Sequence, residues 1–280
     1  MIRFALILLY LSLAWACDSN AADGKLIGTA GLMQLEGAGG GGIVPWATLS
    51  GYDSRDEISV NAMATRVEVN DFRLNVLGAS VSIYDKLEVS VAQHLFDVPA
   101  LNTQIEQQIV GVKYRVYGDA VYSRFGQVSA GWMHKRLKDG DVADLLGAQN
   151  AERGNDFYIA ATKIHLGALA GYNIVHNITA RATKANQLGL LGFGGLNNES
   201  YKIMFEGSFG VLLSRHLAIG AEFRQKPDSL GLGEEHWRDV FVAYIPNKNF
   251  NVTVAWADLG SIAGGPQQQG IYLSLSGSLQ

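Results

Sequence analysis

Beyond the first twenty or so residues, apolar and polar residues alternate with a period of two, and turn residues interrupt the alternation every roughly 8–14 positions. In GIYLSLSGSLQ, Ile271, Leu273, Leu275, Gly277 and Leu279 share one parity, and Tyr272, Ser274, Ser276, Ser278 and Gln280 the other. In YKIMFEGSFGV, Tyr201, Ile203, Phe205, Phe209 and Val211 alternate with Lys202, Glu206 and Ser208. In LAIGAEFR, Leu217, Ile219, Ala221 and Phe223 alternate with Gly220, Glu222 and Arg224. Side chains on a strand point alternately to its two faces, so each run predicts a strand with one apolar and one polar face. The pattern predicts strands near 25–35, 44–52, 57–67, 72–84, 87–96, 105–117, 127–136, 155–165, 172–184, 200–213, 217–226, 237–245, 250–258 and 269–280.

The connections fall into two alternating classes. DSRD at 53–56, YDK at 84–86, SRH at 214–216 and PNKN at 246–249 are tight, whereas 36–43, 97–104, 137–154, 185–199, 227–236 and 259–268 are longer and rich in glycine or polar residues. A short connection near 68–71 and moderate ones near 118–126 and 166–171 are the exceptions. Short turns at one end and long loops at the other characterise an up-and-down outer-membrane barrel, with periplasmic turns and extracellular loops. The expected fold is therefore all-β: an antiparallel transmembrane β-barrel of about fourteen strands, with twelve as the fallback. A secreted β-sandwich would also alternate, but this length would ordinarily make two sandwiches joined by a linker, and no linker is visible.

The chain has 280 residues, a net charge of −4, 33 glycines, 5 prolines and one cysteine. Its basic residues are scattered, so the clustered phosphate contacts of a nucleic-acid binder are not expected. Arg3 followed by the apolar run Phe4–Leu13 predicts an export signal over 1–22, with the barrel domain over 23–280. Cleavage after Ala21 or Ala22 is one route; lipidation of Cys17 in Ala14-Trp15-Ala16-Cys17 is the other. Export of either kind points to the bacterial outer membrane. The expected partners are membrane lipid, periplasmic chaperones, the barrel-assembly machinery and a small solute.

RATKANQLGLLGFGGLNNESYKIMFEGSFGVLLSRHLAIGAEFRQKPDSLG, from Arg181, adds more than periodicity. With PNKNFNVTVAWADLG and WATLSGYDSRDEISVNAMATRV, it resembles the bacterial family known as domain of unknown function 3034. The resemblance runs from about Gly24 to the C-terminus and implies a Gram-negative outer-membrane barrel without supplying an activity. The chain ends Ser278-Leu279-Gln280, lacking the terminal aromatic residue typical of outer-membrane strands.

EGAGGGGIVPW, from Glu36 to Trp46, contains G-x-G-x-x-G at Gly37, Gly39 and Gly42. A dinucleotide turn needs a strand before it and a helix after it, but Pro45-Trp46 and a strand-like run follow. No cofactor is expected, and the segment is expected to be a mobile extracellular loop. LGLLGFGG at 188–195 could fold into the lumen or pack against the rim. Trp46, Tyr84, Phe96, Trp132, Tyr201, Trp237, Tyr244, Trp256 and Tyr272 would suit the interfacial aromatic girdles.

An ionised group facing lipid near the midplane costs about 2–4 kcal/mol, so charges in strands should face the lumen. Parity makes Glu88, Lys113, Arg115, Lys135, Arg181, Lys202, Glu206, Glu222 and Arg224 the candidate lumen-lining charges, with Glu206 opposite Arg224. They could set ion preference or form ion pairs that fill the interior. The six histidines lack metal-ligand spacing and no GxSxG occurs, so neither a metal site nor an enzyme is expected. The leading expectation is a channel or passive transporter for a small solute. A non-conducting barrel presenting its loops is the alternative, and a lipid-acting enzyme using His176 is a weaker third.

Overall fold

The computed structural model describes residues 25–196 and 198–279. The predicted signal and Cys17 lie outside the described residues. Twelve antiparallel strands close into one barrel: Ile58–Val69 (β1), Arg73–Ile83 (β2), Leu87–Val98 (β3), Thr103–Tyr117 (β4), Gln127–Leu137 (β5), Arg153–Leu169 (β6), Tyr172–Thr183 (β7), Lys202–Leu212 (β8), Leu217–Arg224 (β9), Trp237–Asn247 (β10), Phe250–Asp258 (β11) and Gln269–Leu279 (β12). Consecutive strands are neighbours, and β1 seals the barrel against β12 in a register running from Val60↔Leu279 to Val69↔Gly270. Closure pairs the ladder groups that an open sheet would leave exposed, which hydrocarbon requires.

The observed number is twelve, not fourteen. The runs at 25–35 and 44–52 form no strand of the barrel. They belong to a segment, here called the plug, that precedes β1 and fills the bore: nearly every residue from Ala30 to Asp53 is buried. Alternation fails as a guide there because both faces of the segment meet the wall. A barrel of eight strands fills its interior with its own side chains, whereas sixteen leave an aqueous channel. Twelve fall between, and this sequence supplies chain to occupy the space.

The two ends differ. Connections 84–86, 118–126, 170–171, 213–216 and 248–249 lie at the end holding the start of β1 and the finish of β12; connections 70–72, 99–102, 138–152, 184–201, 225–236 and 259–268 lie at the other. We call these the turn end and the loop end. The hairpins at 170–171 and 248–249 are the shortest, with two residues each. Ala170 and Gly171 both take left-handed backbone, with φ of 49° and 88°, as a two-residue turn between twisted strands requires.

Parity sorts the faces as alternation predicts. Ile203, Phe205, Phe209, Ile219, Phe223, Ile271 and Leu273 are exposed, while Glu206, Ser208, Glu222, Arg224, Tyr272, Ser274 and Ser276 are buried. The outer surface is thus a circumferential apolar band, the kind of surface a membrane barrel turns to lipid. Tyr84, Tyr244, Tyr114 and Tyr172 are exposed towards the turn end, and Tyr201 and Trp256 towards the loop end, while Trp132 is exposed midway along β5. Trp46, Phe96, Trp237 and Tyr272 are buried inside instead, so they do not belong to a girdle. Trp46 sits on the plug, and the other three have inward parity near the plug or the loop-end closure.

Candidate functional site

The bore and its plug contain the densest polar chemistry in the molecule. Seven of the expected lumen charges, Glu88, Lys113, Lys135, Arg181, Glu206, Glu222 and Arg224, are buried. Six of them converge on the plug at three anchors, and Glu206 joins the first through Arg181 and Arg224. Arg115 is half-buried at the turn end and pairs with Asp85, which also meets Lys25 at 2.7 Å. Lys202 is half-buried near the loop end and has no ion pair among the described residues.

The first anchor is Glu36, at 0% exposure. Its carboxylate meets Arg181 at 3.0 Å, Arg224 at 2.9 Å and the Lys135 ammonium. The three cations also engage wall carboxylates: Arg181 meets Glu206 at 2.6 Å and Asp156 at 3.1 Å, and Lys135 meets Asp156 at 2.6 Å. Three cations and three carboxylates balance one another. Removing one partner of such a cluster strands an uncompensated charge and typically costs about 3–5 kcal/mol. Across the β8–β9 pair Glu206 stands opposite Arg224, the expected register, and the two side chains approach to 3.5 Å.

The second anchor is Glu88 with Lys113. Glu88 accepts the backbone N–H of Gly39 at 2.9 Å and of Ser50 at 2.6 Å. Lys113 donates to the carbonyls of Gly39 at 2.6 Å and Thr48 at 3.0 Å. The third is Glu222, which accepts from the amides of Gly42 and Ile43 at 2.6 and 2.7 Å and from the Ser208 hydroxyl at 2.6 Å. Trp46 Nε1 donates to Ser208 Oγ at 2.8 Å. Between the anchors Thr179 donates to the Pro45 carbonyl at 2.7 Å and Gln127 to that of Ala47 at 2.7 Å. Wall side chains thus supply the partners that a neighbouring strand would give a ladder.

The glycine cluster has a packing cause. A Cβ on Gly39 would lie 2.5 Å from the Ser50 nitrogen, and one on Gly41 would collide with the Glu222 carboxylate. The segment is neither an extracellular loop nor a nucleotide turn; its glycines let backbone approach backbone and wall at contact distance.

A second closure lies at the loop end. Leu188, Leu190, Leu191 and Phe193 are buried, so the 188–195 cluster folds inward. Leu190 and Gln187 line a small apolar void with Val67, Leu74, Phe96 and Trp237, and Gln107 Nε2 donates to the Leu188 carbonyl at 3.3 Å. Gln187 and Leu188 adopt left-handed backbone, with φ of 47° and 64°, which is strained for a leucine and marks a tightly packed turn. Lys226 ties this cap together, donating to Glu234 at 2.9 Å and to the carbonyls of Leu259 at 3.2 Å and Ser261 at 2.7 Å. Burial pushes the Lys226 ammonium below its ordinary range, against the pull of Glu234.

Sequence reasoning missed Glu36 and Asp156. Asp156 was within its reach, because it shares inward parity with its buried neighbour Tyr158. Glu36 was not, because periodicity carries no information on how deep a loop residue lies. His176 stacks on His165 with ring centroids 5.2 Å apart, and among the described residues no histidine ring is hydrogen-bonded to a serine hydroxyl.

A family model described as "Protein of unknown function (DUF3034)" matches residues 29–276. No curated protein matches the sequence. Among solved structures the fold is similar to the KdgM porin, with a TM-score of 0.50 and 10% identity over 79% of this chain and 99% of the porin. It is similar also to the KdgM porin in complex with disordered oligogalacturonate, with a TM-score of 0.51, 10% identity and the same coverage. Outer membrane phospholipase A from Escherichia coli is a looser match, with a TM-score of 0.40 and 8% identity over 79% of this chain and 91% of that one. At such identities the first two likenesses establish the fold, an outer-membrane type of barrel.

Proposed function

Because the chain belongs to the DUF3034 family, whose description names no activity, we propose a role from its geometry: a bacterial outer-membrane channel for a small acidic solute, held shut by its own N-terminal plug. One observation carries this reading. The Glu36 carboxylate, on a segment outside the barrel ladder, is clasped by Lys135, Arg181 and Arg224, all from the wall. β1 and β12 seal the barrel without any ladder bond from the plug. If the plug withdraws, a polar bore remains, and the cations that held Glu36 face a vacancy shaped for another carboxylate. Glu36 then stands in for the acid group of the solute.

The orientation follows from the loops. The turn end, where the plug enters, faces the periplasm, and the loop end with its cap faces outward. Export by the 1–22 signal, and assembly by the barrel machinery into outer-membrane lipid, belong to the same proposal. The non-conducting alternative is supported by the filled bore itself, since a permanently seated plug would make the barrel a scaffold for its loops.

Single-channel conductance in a planar bilayer separates the two. The proteins compared are the mature barrel and a variant lacking residues 25–53, each first shown by gel shift to have folded. The channel reading expects rare openings from the intact protein. The shortened variant should show steady steps, blocked by a small dicarboxylate such as glutarate. A shortened barrel that folds but stays silent would overturn it in favour of the scaffold.

A further inference from the structure

The outer wall carries an unbalanced patch where β5, β6 and β7 meet the loop end. Arg136 and Arg153 are cross-strand partners, and both are exposed. Lys184, the residue after β7, lies over the Tyr201 ring at 5.2 Å. Among the described residues none of these three cations has an ion pair. The other outward cations at this end are neutralised: Arg66 and Arg73 both meet Glu68, at 2.9 and 3.0 Å, Arg238 meets Asp258 at 2.7 Å, and Lys138 meets Glu106 at 2.7 Å. The patch therefore departs from the rim around it. Asp139, Asp141, Asp144, Glu152 and Glu199, in the adjoining loops, are exposed and make no ion pair with it.

Below these cations the wall is aromatic and apolar. Phe157, Ile159, Ile203 and Phe205 are exposed, and Phe157 packs 6.1 Å from the Tyr201 ring. A cavity of about 350 Å³ opens between Arg153, Asn155, Lys184 and Tyr201, with Gln149 and Asn150 at its edge. Trp132 Nε1 donates to Asn155 Oδ1 at 3.1 Å and helps fix that amide at the boundary between the two zones.

We propose that this patch binds the phosphorylated headgroup of a lipid in the outer leaflet, with the acyl chains lying on Phe157, Ile159, Ile203 and Phe205. The inference rests on the outer-membrane reading above. An anionic head over hydrocarbon chains matches unpaired cations over an apolar wall, and guanidinium groups bind phosphate oxygens in a bidentate fork. A soluble anion would have no use for the apolar half.

The test uses the folded mature barrel in detergent micelles. Binding is followed by the shift in its thermal unfolding midpoint as diphosphorylated lipid A is added. The comparisons are dephosphorylated lipid A, inorganic phosphate, and the triple variant Arg136→Gln, Arg153→Gln, Lys184→Gln. A second variant, Arg66→Gln with Arg73→Gln, removes cations from a neutralised part of the same rim. The expected result is saturable binding of lipid A, at least tenfold weaker in the triple variant and in dephosphorylated lipid, and unchanged in the rim control. Equal binding by the triple variant, equal loss in the rim control, or equal binding of inorganic phosphate would overturn it. Co-flotation with phosphatidylcholine vesicles tests the membrane reading separately. A barrel that floats but does not distinguish the variants loses the headgroup site alone, whereas one that fails to float loses both.

Discussion

The plug and the cap both close the bore, but they hold to the barrel by different forces. The plug adds charge to its apolar packing: Met33, Leu35, Ile43 and Val44 belong to the buried core, and Glu36, Glu88 with Lys113, and Glu222 are its polar anchors. The cap is gripped mainly through apolar surfaces, Leu190 lining a small void with Val67, Leu74, Phe96 and Trp237, with one amide from Gln107. Hydrogen bonds to charged groups can be exchanged for water at modest net cost, about 1.5–3 kcal/mol each. Exposing a buried leucine costs about the same. The two grips therefore differ less in strength than in what disturbs them. The plug is the closure that a single charge can disrupt, because its anchors need exact partners whereas apolar packing tolerates substitution.

The largest expected effect follows from that sensitivity. Arg181 is 1% exposed and touches Glu36, Asp156 and Glu206. Arg181→Met would leave three carboxylates facing two cations, Lys135 and Arg224. A loss of about 3–5 kcal/mol is expected, read from urea unfolding monitored by tryptophan fluorescence. The double variant Arg181→Met with Glu36→Gln restores the charge balance and should recover part of the loss. A double variant no more stable than the single one would show that the cluster acts through packing, and the distinction between plug and cap would lose its basis.

A smaller effect should separate the plug from the barrel. Gly41→Val places side-chain atoms on the Glu222 carboxylate while leaving every strand of the wall unchanged. Displacement of the plug is expected with no change in the heat-induced gel shift of the folded barrel. Protease cleavage within residues 36–45 should rise at least several-fold. A gel shift lost together with the plug would mean that the barrel cannot close without it, and the plug would then be part of the fold rather than a gate.

What the sequence made legible tracks the same division. All twelve strands of the barrel were predicted, with ends displaced by a few residues, because a lipid face and a lumen face impose strict alternation. The Glu206–Arg224 pairing followed from the tight turn at 214–216, since a short hairpin fixes register. The plug was misplaced for the complementary reason. Its side chains meet the wall on every side, so no parity rule governs them. Its glycines answer to clearance of a tenth of a nanometre or so, which composition cannot express. Phe96 and Trp237 were assigned to a girdle because strand ends are where girdles form; the folded-in cap, a contact between distant loops, is what turned that end of the bore apolar.

The smallest expected effect concerns the cap's one buried cation. Lys226 is surrounded by acceptors, yet burial still lowers its pKa from the ordinary value of about 10.5. The unfolded cap therefore binds a proton more readily than the folded one between the lowered value and the ordinary one. Stability of the cap should rise as pH increases through that window, and the penalty for holding the charge should be fully present below it. Replacing both partners, Lys226→Met with Glu234→Gln, removes the penalty and the dependence without stranding a buried charge. The double variant is expected to be as resistant to proteolysis in residues 225–236 as the parent at neutral pH, or slightly more so, with a flat profile towards alkaline pH. Glu234→Gln alone should do the reverse, since it leaves the ammonium with two carbonyls and without its direct ion-pair partner. A double-variant cap that is cleaved much faster than the parent would show that this ion pair, rather than Leu190 and its neighbours, keeps the loop end shut. Plug and cap would then be closures of one kind.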